Sequence, residues 1–317
     1  MSDKNKQNNF LSLALRIVVS VGLLWFIFSK IDIQKTLDVV RGADIRFLIC
    51  AFFVFLIIHG ILLLRWNFFI RALGLQASLF DIIRFFFVGL FGNLFLPSSI
   101  GGDAIKIIGL CKNSDQKPKV IASVLLDRLS GFASIVLVAV GSFIFGYRFI
   151  DDKSLIVPIV IMAGASLGIA GILFNGFIYE FCCRIFNRWP KIKDSLMKLH
   201  YDISLLKDRK AYGYGAIGMS CLSQIILAFV FYLIARALHQ EISIIYFLIF
   251  VPMICIASSF PSIGGLGVRE AGAVYLFSKV GISSAVAVSM SLINYMFMVA
   301  VGLLGGLIYA ALYSRRV

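Results

Sequence analysis

Six uninterrupted apolar runs, at about 10–29, 47–64, 122–146, 155–179, 213–235 and 285–313, constrain this chain more than any other feature. At ~1.5 Å per residue, a run of ~20 residues crosses the ~30 Å hydrocarbon layer of a bilayer. No water is present there to satisfy backbone amides, so each run is expected to be a helix. The composition agrees: 60% of residues are hydrophobic, 15% are charged and the mean hydropathy is +0.96. The expected fold class is an all-α polytopic membrane protein. Within 317 residues no polar stretch is long enough to fold as a separate catalytic domain, so any chemistry is expected inside the membrane bundle.

Two further apolar stretches, about 82–96 and 243–260, run into polar breaks. The first is Asn93-Leu94-Phe95-Leu96-Pro97-Ser98-Ser99-Ile100-Gly101-Gly102-Asp103, and the second is Pro261-Ser262-Ile263-Gly264-Gly265-Leu266-Gly267. Pro97 has no backbone N–H to donate, and Gly101 and Gly102 lack the side chain that favours continued helix. Unwound backbone within a membrane is tolerated only where protein covers it or where it lines a wet cavity. Each break is therefore a packed turn or part of a binding site. Shorter apolar pieces, 104–111 and 268–280, follow the breaks. The expectation is about six crossing helices plus two re-entrant helix-break-helix hairpins, about 82–111 and 243–280.

Charge sets the orientation. The net charge of +14 resides mostly in short loops beside apolar spans, which points to membrane orientation and anionic lipid and not to nucleic acid. With both hairpins re-entrant, nineteen basic residues fall on the side of the N-terminus and nine on the other, with Arg16 and Arg128 inside spans. The positive-inside rule then puts both termini in the cytoplasm. The expected location is a bacterial-type cytoplasmic (inner) membrane, with multiple passes. Three crossings separate equivalent points of the two halves, so the second half is inverted relative to the first. The two Ser-Ile-Gly-Gly motifs, Ser99 to Gly102 and Ser262 to Gly265, lie 163 residues apart, about half the chain. Inverted halves with broken helices meeting near the midplane are a recurring transporter plan.

The expected organisation is an N-terminal membrane half over 1–180, a basic cytoplasmic linker over 180–212 and C-terminal membrane helices over 213–317. The linker carries eight basic residues from Arg184 to Lys210, while Ile192, Leu196, Leu199, Ile203 and Leu206 recur at helical spacing. Such a segment is either a helix lying on the anionic leaflet or a solvated connection between the halves.

Six cysteines and three histidines show no metal-ligand spacing, so neither a metal nor another cofactor is expected. The candidates for function are the charges within or beside spans. Asp127 and Arg128 lie in the third long run; adjacent helical positions point ~100° apart, so each is expected to find a partner elsewhere. Asp103 and Lys106 follow the first break, and Arg269 and Glu270 follow the second. One reading makes these residues internal ion pairs that hold the bundle together. The other starts from helix N-termini at the breaks, which would aim backbone N–H groups at a ligand, with hydroxyls from Ser98, Ser99 and Ser262. Asn93, Gly101, Gly102, Gly264 and Gly265 shape that place, and Lys106, Arg128 and Arg269 add positive charge. It suits a phosphate. Asp103, Asp127 and Glu270 would pair with the cations in the empty state or carry a coupling proton, although Asp103 as an N-cap carboxylate could occupy the same donors.

Three motifs in order, Gly89 through the first break to Asp103, Ala122-Ser123-Val124-Leu125-Leu126-Asp127-Arg128-Leu129-Ser130-Gly131, and Pro261 to Gly272, resemble the lysylphosphatidylglycerol synthase transmembrane region, or flippase-like membrane family. The resemblance spans nearly the whole chain and implies a polytopic inner-membrane protein that moves or handles a phospholipid or polyprenyl-linked lipid. The soluble aminoacyl-transferring domain of the two-part relatives is absent, which argues against lipid aminoacylation. Three functions follow as expectations. The first is a lipid translocase binding an anionic headgroup between the two breaks. The second is a membrane-embedded lipid transferase using Asp103 or Asp127 near His59. The third is a membrane anchor for a separately encoded lipid-modifying enzyme, docked through the 180–212 segment. A homodimer is compatible with all three.

Overall fold

The structure is a computed structural model describing residues 33–95, 101–112, 114–146, 210–258 and 267–313, with 160 and 164 in addition. Among the described residues there are nine helices and no strand. They are α1 (Ile33–Arg41), α2 (Ile45–Ala72), α3 (Leu79–Phe95), α4 (Gly101–Cys111), α5 (Lys117–Gly146), α6 (Lys210–Ala237), α7 (Ile244–Ala257), α8 (Val268–Ser278) and α9 (Ser284–Tyr313). The apolar run 10–29, the run 155–179 apart from 160 and 164, and nearly all of the basic linker lie outside the described residues.

Four helices, α2, α5, α6 and α9, are long and apolar enough to cross a membrane. On α2, Ile49, Phe53 and Ile57 repeat every four residues on one exposed face, as a lipid-facing stripe would. α2 also runs well past the apolar stretch 47–64, because Arg65 and Trp66 are buried and partnered within protein. The short α1 was not foreseen. α4 and α8 have 11 residues each and α7 has 14. At ~1.5 Å per residue they reach only ~16–21 Å, well short of the hydrocarbon layer.

The chain forms two compact units, one from Met1–His59, Ile83–Lys106 and Ile225–Val317, the other from Gly60–Ile82 and Ile107–Gln224. In the first unit, the helices on either side of each break fold back on one another. The Phe247 and Phe250 rings of α7 pack against Phe277 of α8 at 5.3 and 5.4 Å, and Gly272 lies against Ile254 and Ala257, so the two helices are antiparallel. α3 and α4 pair in the same sense: Gly102 meets the Gly89 carbonyl and Asn93, while Gly89 also meets Lys106. A Cβ on Gly102 would overlap that carbonyl, so glycine is what permits backbone to touch backbone.

Both helix pairs rest on α9. Going forward along α8 from Arg269 to Val274, the neighbours on α9 run backward from Tyr295 and Ser291 to Val288. Going forward along α3 from Phe87 to Leu94, they run backward from Gly305 to Gly302, with Gly305 against the Phe87 carbonyl. The described end of α3 and the described start of α8 thus approach the middle of α9 from opposite ends. Their contact points, Gly302 and Tyr295, are seven residues apart, roughly 10 Å along the axis. Phe297 of α9 also packs on Phe52 and Phe55 of α2, at 5.4 and 5.9 Å.

The second unit joins the later part of α2 to α5 and α6. Trp66 Nε1 donates to Ser123 Oγ at 3.4 Å, and Phe68 packs edge-on to Tyr212 with Gly215 beside it.

Candidate functional site

Each unit holds its own buried charges. In the first, the Gly102 N–H at the start of α4 donates to Asn93 Oδ1 at 2.8 Å, so a side chain from the facing helix caps this N-terminus. One residue on, Asp103 and Lys106 are 9% and 8% exposed and approach to 3.8 Å across one turn. The Lys106 ammonium also lies 4.9 Å from the Phe86 ring centre, close enough for a cation–π attraction.

The α8 end is more completely wired. Gly267 precedes the helix at φ +86°, a left-handed conformation that glycine adopts without strain. Glu270, only 1% exposed, turns back so that Oε2 accepts the Gly267 N–H at 2.7 Å. Its Oε1 accepts from Arg269 Nη2 at 2.7 Å and from the Ser291 hydroxyl at 2.9 Å. Arg269 Nε donates to Ser291 Oγ at 2.8 Å, and its guanidinium stacks 5.1 Å from the Tyr295 ring centre. The charges cancel within one well-bonded group, the condition under which an interior tolerates them.

The two helix starts were expected to offer open amide donors. Instead, Gly102 is capped by Asn93 and Gly267 by Glu270. Ser98, Ser99, Ser262, Gly264 and Gly265 lie outside the described residues, while Gly101 opens α4.

In the second unit, Asp127 is bonded by Arg65 through Nε to Oδ1 at 2.6 Å. Arg65 Nη1 reaches the Ser220 hydroxyl at 3.0 Å, Ser220 meets Ser130 at 3.3 Å, and Ser130 returns a hydrogen bond to the Asp127 carbonyl at 2.8 Å. Three helices, α2, α5 and α6, meet in this network. Arg128, adjacent on α5, is half-buried. Arg65 is the functional-type residue that sequence reasoning missed, since it was counted as a loop charge. The signal was present in the apolar residues Trp66, Phe68, Phe69 and Ile70, which carry the helix beyond it. Arg65, Lys106 and Arg269 all prove buried; removing them takes two from the larger basic tally and one from the smaller, so the bias stands.

His59 is buried, with Nδ1 at 3.1 Å from the Phe55 carbonyl oxygen and its ring edge-on to Phe55 at 4.8 Å. Among the described residues no three His, Cys, Asp or Glu side chains come together as a metal site. What the arrangement offers chemically is cation and hydrogen-bond donor capacity at a buried helix start.

The family model described as the lysylphosphatidylglycerol synthase TM region matches residues 13–306. A UPF0104 membrane protein of Pyrococcus horikoshii is 26% identical, over 88% of this chain and 91% of its own length. A second UPF0104 membrane protein, from Methanocaldococcus jannaschii, is 24% identical, over 88% of each chain.

Proposed function

From the premise that the chain belongs to the lysylphosphatidylglycerol synthase TM region family, a family of multi-pass membrane proteins, we propose that it translocates a lipid. The substrate is an anionic phospholipid or polyprenyl-linked lipid whose headgroup binds between the two broken helix pairs. One observation carries this reading: α3 and α8 bring their broken ends to the middle of α9 from opposite directions. Helices of 11 and 14 residues that fold back on themselves fit re-entrant hairpins better than full crossings. Hairpins entering from opposite leaflets and meeting at the midplane create a place that either leaflet can reach in turn. Arg269 and Lys106 supply the positive charge a phosphate-bearing headgroup needs, and Glu270 and Asp103 neutralise them when no headgroup is bound.

The cytoplasmic membrane and cytoplasmic termini complete the reading, as the charge bias indicates. The test is a headgroup-accessibility assay in proteoliposomes of the full chain with fluorescent phosphatidylglycerol. Quenching of both leaflets faster than in empty vesicles is expected. Rates no greater than in empty vesicles, across several anionic and polyprenyl lipids, would contradict translocation.

A further inference from the structure

Several helix ends and turns gather at one end of the second unit. Trp66 bonds Ser123 and Phe68 packs on Tyr212, so the last turns of α2 lie beside the starts of α5 and α6. Leu75, Gln76 and Ala77 of the α2–α3 turn line a small hollow with Leu110, Ser114 and Val120, which brings the α4–α5 turn to the same place. Arg71, Lys112 and Lys117 are exposed there, Lys119 is half-buried and Lys210 opens α6. Acidic neighbours are fewer among the described residues: Asp115 is exposed, and Asp81 is engaged by the Ser78 hydroxyl at 2.8 Å.

Leu79, Phe80 and Tyr214, at this same end, are each more than half exposed. Large apolar side chains interleaved with basic ones are unfavourable in water, and the charges are equally misplaced in hydrocarbon. The headgroup level of a bilayer suits both, because rings and leucine enter the acyl boundary while ammonium groups meet the phosphates. The far end of α5 differs. No charged residue follows Arg128 on that helix, and Ile144 and Phe145 are exposed.

We propose that this end of the unit docks anionic phospholipid headgroups in preference to zwitterionic ones. Arg71, Lys112, Lys117 and Lys119 meet the phosphates, and Leu79, Phe80 and Tyr214 sit among the upper acyl chains. The excess of basic over acidic residues supplies the complementary charge, since each lysine near the surface adds to the attraction of an anionic leaflet. Such a surface serves a translocase and a non-translocating membrane protein alike.

Photolabelling of the full chain in nanodiscs tests it. The discs hold equal parts of phosphatidylglycerol and phosphatidylcholine, with a trace of one or the other carrying a diazirine tail, and mass spectrometry reads the labelled residues. At low salt, phosphatidylglycerol should label Leu79, Phe80 and Tyr214 more than phosphatidylcholine does, while Ile144 and Phe145 show no preference. Replacing three lysines together, Lys112→Gln, Lys117→Gln and Lys119→Gln, should lower the preference by about tenfold without lowering the melting temperature. Salt at about 0.5 M should do the same to the unsubstituted chain, which keeps the test decisive if the triple variant does not fold. Equal labelling by the two lipids at Leu79 and Phe80, or the same preference at Ile144 and Phe145, overturns the docking surface. A preference that survives the triple variant or high salt overturns its assignment to these lysines.

Discussion

Asp127 illustrates what a single buried charge demands. It lies one residue from Arg128 yet bonds Arg65, sixty-two positions away in sequence, because adjacent positions on a helix diverge while α2 presents a guanidinium directly. With side chains 9% and 8% exposed, neither partner has water to fall back on. Arg65→Ala or Asp127→Ala should therefore cost about 3–5 kcal/mol of stability, since each leaves an uncompensated interior charge. The double replacement Arg65→Met with Asp127→Leu should recover most of that loss, as measured by unfolding in detergent; a double variant as unstable as the sum of the singles would contradict the pairing. Arg269 and Glu270 show the reverse lesson. They are neighbours in sequence and still pair, because the long guanidinium side chain can reach back to Oε1 while Ser291 fixes both.

At the scale of the helix, the elements written as long apolar runs were legible in the sequence. The stretches 122–146, 213–235 and 285–313 reappear as α5, α6 and α9, while Pro97 and Pro261 of the two breaks lie outside the described residues, between α3 and α4 and between α7 and α8. Three things were not legible. α1 is only 9 residues long and carries no apolar run. The burial of Arg65 against Asp127 and Ser220 depends on α5 and α6, although the apolar Trp66, Phe68, Phe69 and Ile70 do carry a local sign that α2 runs past Leu64. The caps from Asn93 and Glu270 depend on how the chain returns on itself. Packing at this scale also makes a prediction. Gly305 of α9 touches the Phe87 carbonyl, and a Cβ there would collide with backbone, which cannot rotate aside. Gly305→Ala should destabilise by about 1–3 kcal/mol, as overpacking does. Gly60→Ala, in α2 with nothing near its Cβ position, should be neutral or slightly stabilising, because alanine is the better helix former. Equal effects at the two glycines in a thermal melt would remove the argument for close α3–α9 contact.

For the whole molecule, the all-α membrane fold class was legible in the spacing of apolar runs, and the proposal of inverted hairpins rests on the basic loops and on a motif repeated 163 residues apart. The candidate site was only half visible. Sequence could place Asp103, Lys106, Arg269 and Glu270 at the helix starts, but the pairings among them, and the recruitment of Ser291 and Tyr295 from α9, are products of tertiary structure. The central claim is that the two helix pairs are hairpins dipping in from opposite leaflets. Single cysteines in a cysteine-free background at Gln76 and Asp115 flank the first, and at Ser243 and Ser284 the second; all four positions are exposed. A membrane-impermeant thiol reagent should label Gln76→Cys and Asp115→Cys from one side of the membrane, and Ser243→Cys and Ser284→Cys from the other. Labelling the two ends of either pair from opposite sides, or all four from the same side, would contradict the account.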